Sequence, residues 1–591
     1  MFCLMNRSLR ALKSLALAGL LFAGSGAVAP GAPREVRNLE GLGASGMFLA
    51  GIFANAQRDT GAAAEYFREA LKADPHNPGL LDQAFLSELV DGNLDEAFRL
   101  AERSIQRDKS NALAHVALGV RALRAKNYER ARRSFDRAGG KVRNADLTIG
   151  MLRGWAIVGA GDIGGALKAA DSFTDKELVG YRDFISGLMA DVGKRPTEAE
   201  ARLAKAHTAE PGVLRVADAY ARVLSRRKKF DEALKVARGW RERNPSQPFL
   251  VPDIAAYEKG QPLPPLVDTV AEGAAEVFYS LGAMGSAARD PMTAVIYLQL
   301  AHYLAPADAL IGMTLAEYFD QLGQHQRASQ LYEAVPPESV LSHRAAIGHA
   351  VALERLGKTD EAISVLRSLL TREPGDLEAS DTLGSILRTK KRWAESAEAY
   401  DAGIKAVGVF QARHWSLFYG RAIAYERSKQ WDKAEPDFLA ALDLLPPKPR
   451  NARDGTERAQ VLNYLAYSWA DMHKNVDKAF EMLREAVALS PGDGAIVDSL
   501  GWAYYRLGRY DEAVKELERA VLLKSGDPTI NDHLGDAYWK VGRKREAYFK
   551  WSQTLELNPE PDDEKRVRQK LESGLDEGPA ANAGAPKPNG G

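Results

Sequence analysis

A period of about 34 residues runs through most of the chain and limits its possible folds more than any other feature. A small residue marks fourteen successive units, and most steps between these residues are 34 positions long. The marking residues are Ala63, Ala97, Ala131, Ala166, Ala199, Ala233, Ala294, Ala328, Ala362, Ser396, Ala434, Ala479, Ala513 and Ala547. Such a repeat predicts short units that cannot bury their apolar faces alone and therefore stack into one continuous core.

Three further positions keep the same register. Each has a physical reason in a pair of antiparallel helices: glycine permits close approach, a bulky side chain fills the adjacent gap, and proline ends the second helix. Twelve residues before the small residue stand Gly51, Gly119, Gly187, Gly282, Gly384, Gly501 and Gly535. Four residues after it stand Phe67, Phe135, Tyr332, Tyr400, Phe438 and Trp551, and twelve after it stand Pro75, Pro211, Pro245, Pro306, Pro374, Pro446, Pro491 and Pro559.

The unit at 494–527 shows the pattern most clearly, with LGWAY at 500–504, GRYDEA at 508–513 and Ala520. These residues resemble the tetratricopeptide repeat (TPR) family. The resemblance implies an all-α fold, a TPR superhelical solenoid of about fourteen helix-turn-helix repeats in two arrays.

Interruptions of the period predict the order of domains. Five prolines within 246–274 predict a bridge between two separable arrays. Near the end, Val567, Leu571 and Leu575 form one apolar stripe, as expected of a capping helix. The predicted order is a signal peptide at 1–27, an extension at 28–43, six repeats at 44–247, a proline-rich bridge at 248–274, eight repeats at 275–561, the capping helix at 562–577 and a disordered tail at 578–591.

The first 27 residues have the pattern of a secretory signal peptide. Basic residues up to Lys13 precede the apolar run LALAGLLFA and then small residues up to Ala27. Cleavage there would start the mature chain at Val28. Cys3, the single cysteine, precedes the apolar run, so a lipid anchor is not expected. The prediction is a periplasmic protein; the alternative is an uncleaved segment anchored in the inner membrane.

Composition excludes several function classes. The 79 basic and 79 acidic residues give zero net charge, whereas a general nucleic-acid binder carries an excess of basic residues. One cysteine excludes a disulfide scaffold or a multi-thiolate metal site. The glycines at 159, 161 and 164 match a dinucleotide fingerprint in letters, but their place between two predicted helices favours a turn. We find no catalytic constellation and expect no enzyme, cofactor or metal ligand.

In TPR proteins, the second, fifth, ninth and twelfth positions of each first helix line the concave groove, and the resemblance implies the same here. In the first three units these positions are apolar: Phe48, Ile52, Leu86, Leu89, Val116, Val120 and Leu123. In the last three they combine aromatic rings with carboxylates, which suits a peptide carrying Lys or Arg: Tyr464, Asp498, Trp502, Tyr505, Asp532, Asp536 and Trp539. The alternative is packing against neighbouring helices. The N-terminal stripe could also be covered by residues 34–42 or by a second copy.

Residues 460–560 further resemble bacterial envelope TPR proteins, among them adaptors that present substrates to a periplasmic carboxyl-terminal processing protease. The resemblance implies protein or peptide partners. We therefore expect an exported, non-catalytic interaction scaffold, as an adaptor for a protease or as a structural or assembly factor of an envelope complex. An enzyme with an unrecognised site is the remaining alternative.

Overall fold

The protein is all-helical, as the sequence predicted. A computed structural model describes residues 43–139, 146–245, 247–285 and 291–575. These residues contain 30 α-helices, one short 3-10 helix at Ala412–His414 and no strand. The signal peptide, the extension up to residue 42 and the tail at 578–591 lie outside the described residues. Among the helices described, none combines the length and the hydropathy needed to cross a membrane.

The chain divides into two compact units between Val365 and Leu366. The helices of unit 1 are α1 (Ala44–Ala56), α2 (Thr60–Ala73), α3 (Pro78–Asp91), α4 (Leu94–Arg107), α5 (Ala112–Arg124), α6 (Tyr128–Ala138), α7 (Leu147–Gly159), α8 (Ile163–Asp171), α9 (Val179–Val192), α10 (Pro196–Ala209), α11 (Leu214–Arg226), α12 (Phe230–Arg243), α13 (Val251–Glu258), α14 (Val270–Gly285), α15 (Pro291–Leu304), α16 (Ala309–Gln321), α17 (His325–Glu333) and α18 (Ser342–Arg355).

The point of division lies within α19 (Thr359–Arg372), and unit 2 consists of eleven further helices. They are α20 (Leu377–Thr389), α21 (Trp393–Ala406), α22 (Trp415–Arg427), α23 (Trp431–Leu444), α24 (Ala452–Asp471), α25 (Val476–Leu489), α26 (Gly494–Arg506), α27 (Tyr510–Leu523), α28 (Pro528–Lys540), α29 (Lys544–Glu556) and α30 (Pro561–Ser573). Helix α30 lies where the sequence predicted a capping helix.

In several repeats the paired helices meet where a glycine of the first faces a large side chain sixteen residues later. A Cβ added at Gly119 would lie 2.4 Å from the Phe135 ring, and one at Gly535 would lie 2.5 Å from Trp551. Phe135 and Trp551 are fully buried. The paired helices therefore approach closely only because the first carries no side chain where the second inserts its ring.

Within repeats, short turns join the first helix to the second. Asp162 caps α8 by accepting the backbone N–H of Gly165, and Gly161 has a φ of +91°. This segment is a turn between α7 and α8 and not a phosphate-binding loop, since helices lie on both sides of it.

Unit 1 continues beyond the predicted proline-rich bridge at 248–274. Helix α13 lies within that segment, and Tyr257 from it is buried in one core cluster with Trp240. Helices α14 and α15 then pack against first helices of the preceding repeats, α14 on α5, α7 and α9, and α15 on α3 and α5. The bridge is therefore not the boundary between compact units, because the helices that follow it complete the core of the N-terminal repeats.

Candidate functional site

The apolar stripe predicted to bind a partner in the N-terminal repeats is largely inside unit 1. Leu89, Val116, Val120 and Leu123 are buried and belong to its main core cluster. Phe48 and Leu86 are half-buried, and Ile52 is exposed.

Helices α14 and α15 occupy the face that this stripe would offer to a partner. Gln299 on α15 donates to the backbone oxygen of Val90 at 3.5 Å. On α14, Val277 accepts a hydrogen bond from the Tyr181 hydroxyl at 3.3 Å through its backbone oxygen. The assignment of the four buried residues to a partner groove is therefore wrong. Another part of the same chain covers them, namely α14 and α15. Residues 34–42, which one alternative assigned to this role, lie outside the described residues.

A buried charged cluster fixes α14 in this position. Arg215 on α11 lies 3.0 Å from Glu276 on α14 and also pairs with Asp308 at the start of α16. Burial raises the pKa of Glu276 to about 7, although Arg215 opposes that change. Because a buried charge must be paired, this cluster stabilises α14 only while all three groups stay together.

In unit 2, the first helices present an aromatic ladder, formed by Tyr505, Trp502 and His533. The Trp502 ring stacks on His533 at 4.0 Å and on Tyr505 at 4.7 Å between centroids. Trp502 and Tyr505 are half-buried, so part of each ring stays accessible. The ladder therefore offers aromatic surface at the predicted groove positions.

Asp498 lies beneath this ladder and is not free for a partner. His533 Nδ1 is 3.0 Å from both carboxylate oxygens of Asp498, and both residues are buried. Burial alone would lower the pKa of His533, but Asp498 outweighs it and raises that pKa above its ordinary value. The pair therefore holds two neighbouring first helices, α26 and α28, together.

Asp532 and Asp536 are engaged in the same way, by the final helix. Lys570 on α30 lies 2.7 Å from a carboxylate oxygen of each. Arg566 also contacts Asp532 at 3.2 Å, and the Trp551 indole N–H donates to Asp536 at 2.9 Å. All three carboxylates predicted to attract a basic peptide are thus buried against side chains of the protein itself: His533 for Asp498, Lys570 and Arg566 for Asp532, and Lys570 for Asp536. Their assignment to a peptide-binding surface is therefore wrong.

The remaining predicted aromatic residues line the surface only partly. Tyr464 is half-buried, donates to Glu426 at 3.0 Å and stacks on Phe438. Trp539 is half-buried and lies 5.4 Å from the Trp551 ring, with Lys544 over its face. Both rings are therefore partly covered by side chains of the protein itself.

A cavity of about 540 Å³ opens in unit 2, between first helices and the start of α30. We call it the groove cavity. Among its lining residues, only Tyr464 was predicted from the sequence. The sequence prediction named groove positions only in the first three and last three repeats. In the repeats between them, the same helix positions include Arg388 and Ile423. The residues lining the cavity are Arg388, Thr389, Lys391, Trp393, Ile423, Arg427, Tyr464, Glu560, Asp562 and Asp563.

Comparisons with known proteins agree with this repeat architecture. A family profile described as a tetratricopeptide repeat matches residues 36–78, 83–142, 347–409 and 382–449, and a TPR repeat profile matches 501–542. Together with the helix pairs, these matches show that the matched segments are tetratricopeptide repeats. TPR proteins are in general non-catalytic scaffolds that bind other proteins.

Individual relatives are more distant. A TPR repeat-containing protein of Pseudomonas aeruginosa, PA4667, is 26% identical over 162 residues, which are 27% of this chain and 24% of that protein. The chain thus spans about a quarter of that relative's length. Among solved structures, the Cut9–Hcn1 assembly of APC/C has 14% identity and a TM-score of 0.36, with 84% of this chain and 96% of that chain covered. Yeast Tom70 has 10% identity and a TM-score of 0.29, with 90% and 95% covered.

Proposed function

We propose that the protein is an exported, non-catalytic scaffold that binds a partner protein or peptide along the first helices of unit 2. The observation that supports this most is the half-buried aromatic ladder. Tyr505 and Trp502 are held in place by stacking but keep accessible ring surface, which is the usual character of an interface anchor.

Unit 1 has a different role in this proposal. Its predicted binding stripe is buried by α14 and α15, so most of its apolar side chains already have partners. Unit 2 instead offers the half-buried rings of Trp502 and Tyr505 on α26 and the groove cavity, which is lined by the first helices α20, α22 and α24.

Photo-cross-linking tests the binding surface directly. A benzophenone amino acid replaces Tyr505 in the full chain, and a matched variant carries it at Leu522, whose side chain is 86% exposed on the second helix α27. We expect adducts with envelope proteins from position 505 and few from position 522. Equal labelling from both positions would contradict binding along the first helices.

The location in the envelope rests on the sequence at 1–27. We propose cleavage after Ala27, and N-terminal sequencing of the protein from its native host should begin at Val28. A chain that keeps Met1 and needs detergent for extraction would instead indicate an uncleaved anchor in the inner membrane.

Within this function, we propose an adaptor that brings protein substrates to a periplasmic processing protease. The support is the resemblance of residues 460–560 to such adaptors. Purification of cross-linked complexes decides between this role and that of a structural or assembly factor. A protease whose activity rises when the protein is added supports the adaptor, whereas a non-enzymatic partner in fixed stoichiometry supports the structural role.

A further inference from the structure

Opposite charges face each other across the groove cavity. One wall consists of three cationic side chains from α20, the turn after it and α22, and the other consists of three carboxylates at the start of α30. Lys391 Nζ on the first wall lies 3.3 Å from Glu560 on the second. The cations are Arg388, Lys391 and Arg427, and the carboxylates, which we call the acidic turn, are Glu560, Asp562 and Asp563.

The acidic turn balances the charge of the cavity. The lining contains three cations and three carboxylates. Arg427 also lies 3.4 Å from Glu426, so loss of the turn would leave the excess positive charge of the lining mainly on Arg388 and Lys391. Arg388 adds a second indication, because its Nε is buried and has no hydrogen-bond partner. A buried donor without an acceptor is costly, so the basic wall favours an anionic ligand.

The acidic turn is held much more loosely than the rest of α30. The side chains of Lys391 and Glu560 are 69% and 71% exposed, and an exposed ion pair contributes little and is screened by salt. The second half of the helix is anchored instead, since Val567 and Lys570 are buried. The turn can therefore leave the cavity while α30 stays docked.

The chain around the acidic turn also suits such a movement. Pro559 and Pro561 flank Glu560, and Asn558 has a φ of +54°, so the chain turns directly before α30, whose first helical turn carries Asp562 and Asp563. No side-chain hydrogen bond caps the start of α30. Release of the turn would open only the first turn of α30, where the Glu564 N–H donates to the Glu560 carbonyl oxygen at 2.8 Å and Asp563 pairs with Arg566 at 3.0 Å.

We propose that the groove cavity binds an acidic, extended segment of the partner, and that the acidic turn occupies this site until the partner displaces it. The inference rests on the proposed function and adds the chemistry of the ligand. Trp393 and Ile423 would contact the apolar parts of the peptide, while Arg388, Lys391 and Arg427 would pair with its carboxylates.

A peptide copy of the turn provides the probe. A fluorescein-labelled peptide with the sequence of residues 557–565 is titrated with the full chain, followed by anisotropy. A second peptide carries amides in place of the carboxylates that correspond to Glu560, Asp562 and Asp563. We expect the acidic peptide to bind, the amide peptide to bind at least about tenfold more weakly, and the acidic peptide to weaken as salt rises.

Variants of the protein test whether the acidic turn competes with the acidic peptide for the groove cavity. In the triple variant Glu560→Gln, Asp562→Asn and Asp563→Asn, loss of the competitor should tighten binding of the acidic peptide by about fivefold or more. Lys391→Gln and Arg427→Gln should each weaken it by about threefold or more. Lys515→Gln, the same charge change on exposed α27, should leave it unchanged.

Three results would overturn the inference: no binding of the acidic peptide, equal binding of both peptides, or no gain from the triple variant when its melting curve shows it folded. Glu560→Gln alone repeats the test if the triple variant does not fold. Cross-linking from position 505 without peptide binding would leave the proposed function standing and remove this ligand assignment.

Discussion

At the scale of single residues, the same amino-acid type has different roles because of its register in the repeat. Trp551 is fully buried opposite Gly535, whereas Trp502 stacks on His533 and Tyr505 with part of its ring accessible. The first tryptophan fills the core of a repeat, and the second bridges two neighbouring repeats. Replacement of Trp551 should therefore mainly lower stability, whereas replacement of Trp502 should mainly weaken binding.

Trp502→Ala is expected to destabilise unit 2 by about 1 kcal/mol, because it removes aromatic stacking but leaves no enclosed cavity. Trp551→Ala should cost about 3–5 kcal/mol, since it empties a fully buried site. Urea unfolding gives both values, and cross-linking yield from position 505 gives binding. A larger loss of stability from Trp502→Ala would place its ring in the core.

Ala513 tests the close approach of paired helices. It is fully buried, so Ala513→Leu should overpack the crossing and cost about 1–3 kcal/mol. Ala495→Leu, the same change at an exposed position of α26, should stay within about 0.5 kcal/mol. Thermal melts of the two variants are compared. Equal melting temperatures would contradict the register of the repeat.

His533 should make the stability of unit 2 depend on pH. Its pKa is raised in the folded state, where burial opposes the charged ring but Asp498 outweighs burial. The charged pair therefore stabilises the fold fully below the unfolded pKa of about 6.5, and this contribution is lost as pH rises through the higher folded pKa. Melting curves from pH 5 to 9 should show the loss. In His533→Asn the same decline should be absent, and its persistence there would assign it to another group.

At the scale of elements, helix α30 extends the stacking of first helices and supplies the cation that two carboxylates of α28 require. Lys570 contacts Asp532 and Asp536, while burial followed by repulsion from Asp532 raises the pKa of Asp536. The helix is thus joined to the last repeat by a buried charged cluster in addition to apolar packing by Val567.

Lys570→Met should loosen α30 strongly. Loss of the cation leaves two neighbouring buried carboxylates, which is expected to cost about 3–5 kcal/mol. Addition of Asp532→Asn and Asp536→Asn to this variant should restore part of the stability, because the uncompensated charge is then gone. Hydrogen exchange of α28 to α30 and urea unfolding measure the effect. An unchanged exchange rate in Lys570→Met would show that the cluster does not hold the helix.

Sequence periodicity was sufficient for the elements but not for contacts between distant ones. The positions of Ala513 and Gly501 predicted which helices pair, because such contacts recur at one fixed spacing. The pairing of Asp536 with Lys570 keeps the 34-residue spacing, but the register alone does not show that a groove carboxylate meets a cation on the next first helix. The burial of Val120 depends on α14 and α15, which pack back onto repeats much earlier in the chain. Sequence periodicity does not predict long-range packing of this kind. It therefore identified the groove positions of each helix without showing which of them other helices cover.

At the scale of the whole molecule, the boundary between independently folded parts follows burial and not proline content. A fragment of 268–577 begins at the predicted bridge and carries α14 and α15 without the helices they cover, which would remove the cover that α9 gives to the buried Val277. A fragment of 357–577 begins just before α19 and keeps unit 2 with its own core.

We expect the 357–577 fragment to be monomeric and to melt cooperatively, whereas the 268–577 fragment should self-associate through its exposed apolar helices. Light scattering coupled to gel filtration and circular dichroism melts measure this difference. A monomeric 268–577 fragment with the stability of the full chain would restore the bridge as the boundary.

The return of α14 and α15 onto the first repeats also sets the order in which unit 1 can finish folding. Residues near 90 and 120 emerge first from a ribosome or a translocation channel, but their apolar faces gain their cover only after residue 304 has followed. Until then the early repeats expose apolar surface that favours aggregation. The docking of α14 and α15 requires contacts between residues more than 200 positions apart, such as Val90 and Gln299. Unit 1 therefore combines the local folding of a repeat protein with a late, long-range closing step, during which a chaperone would be most useful.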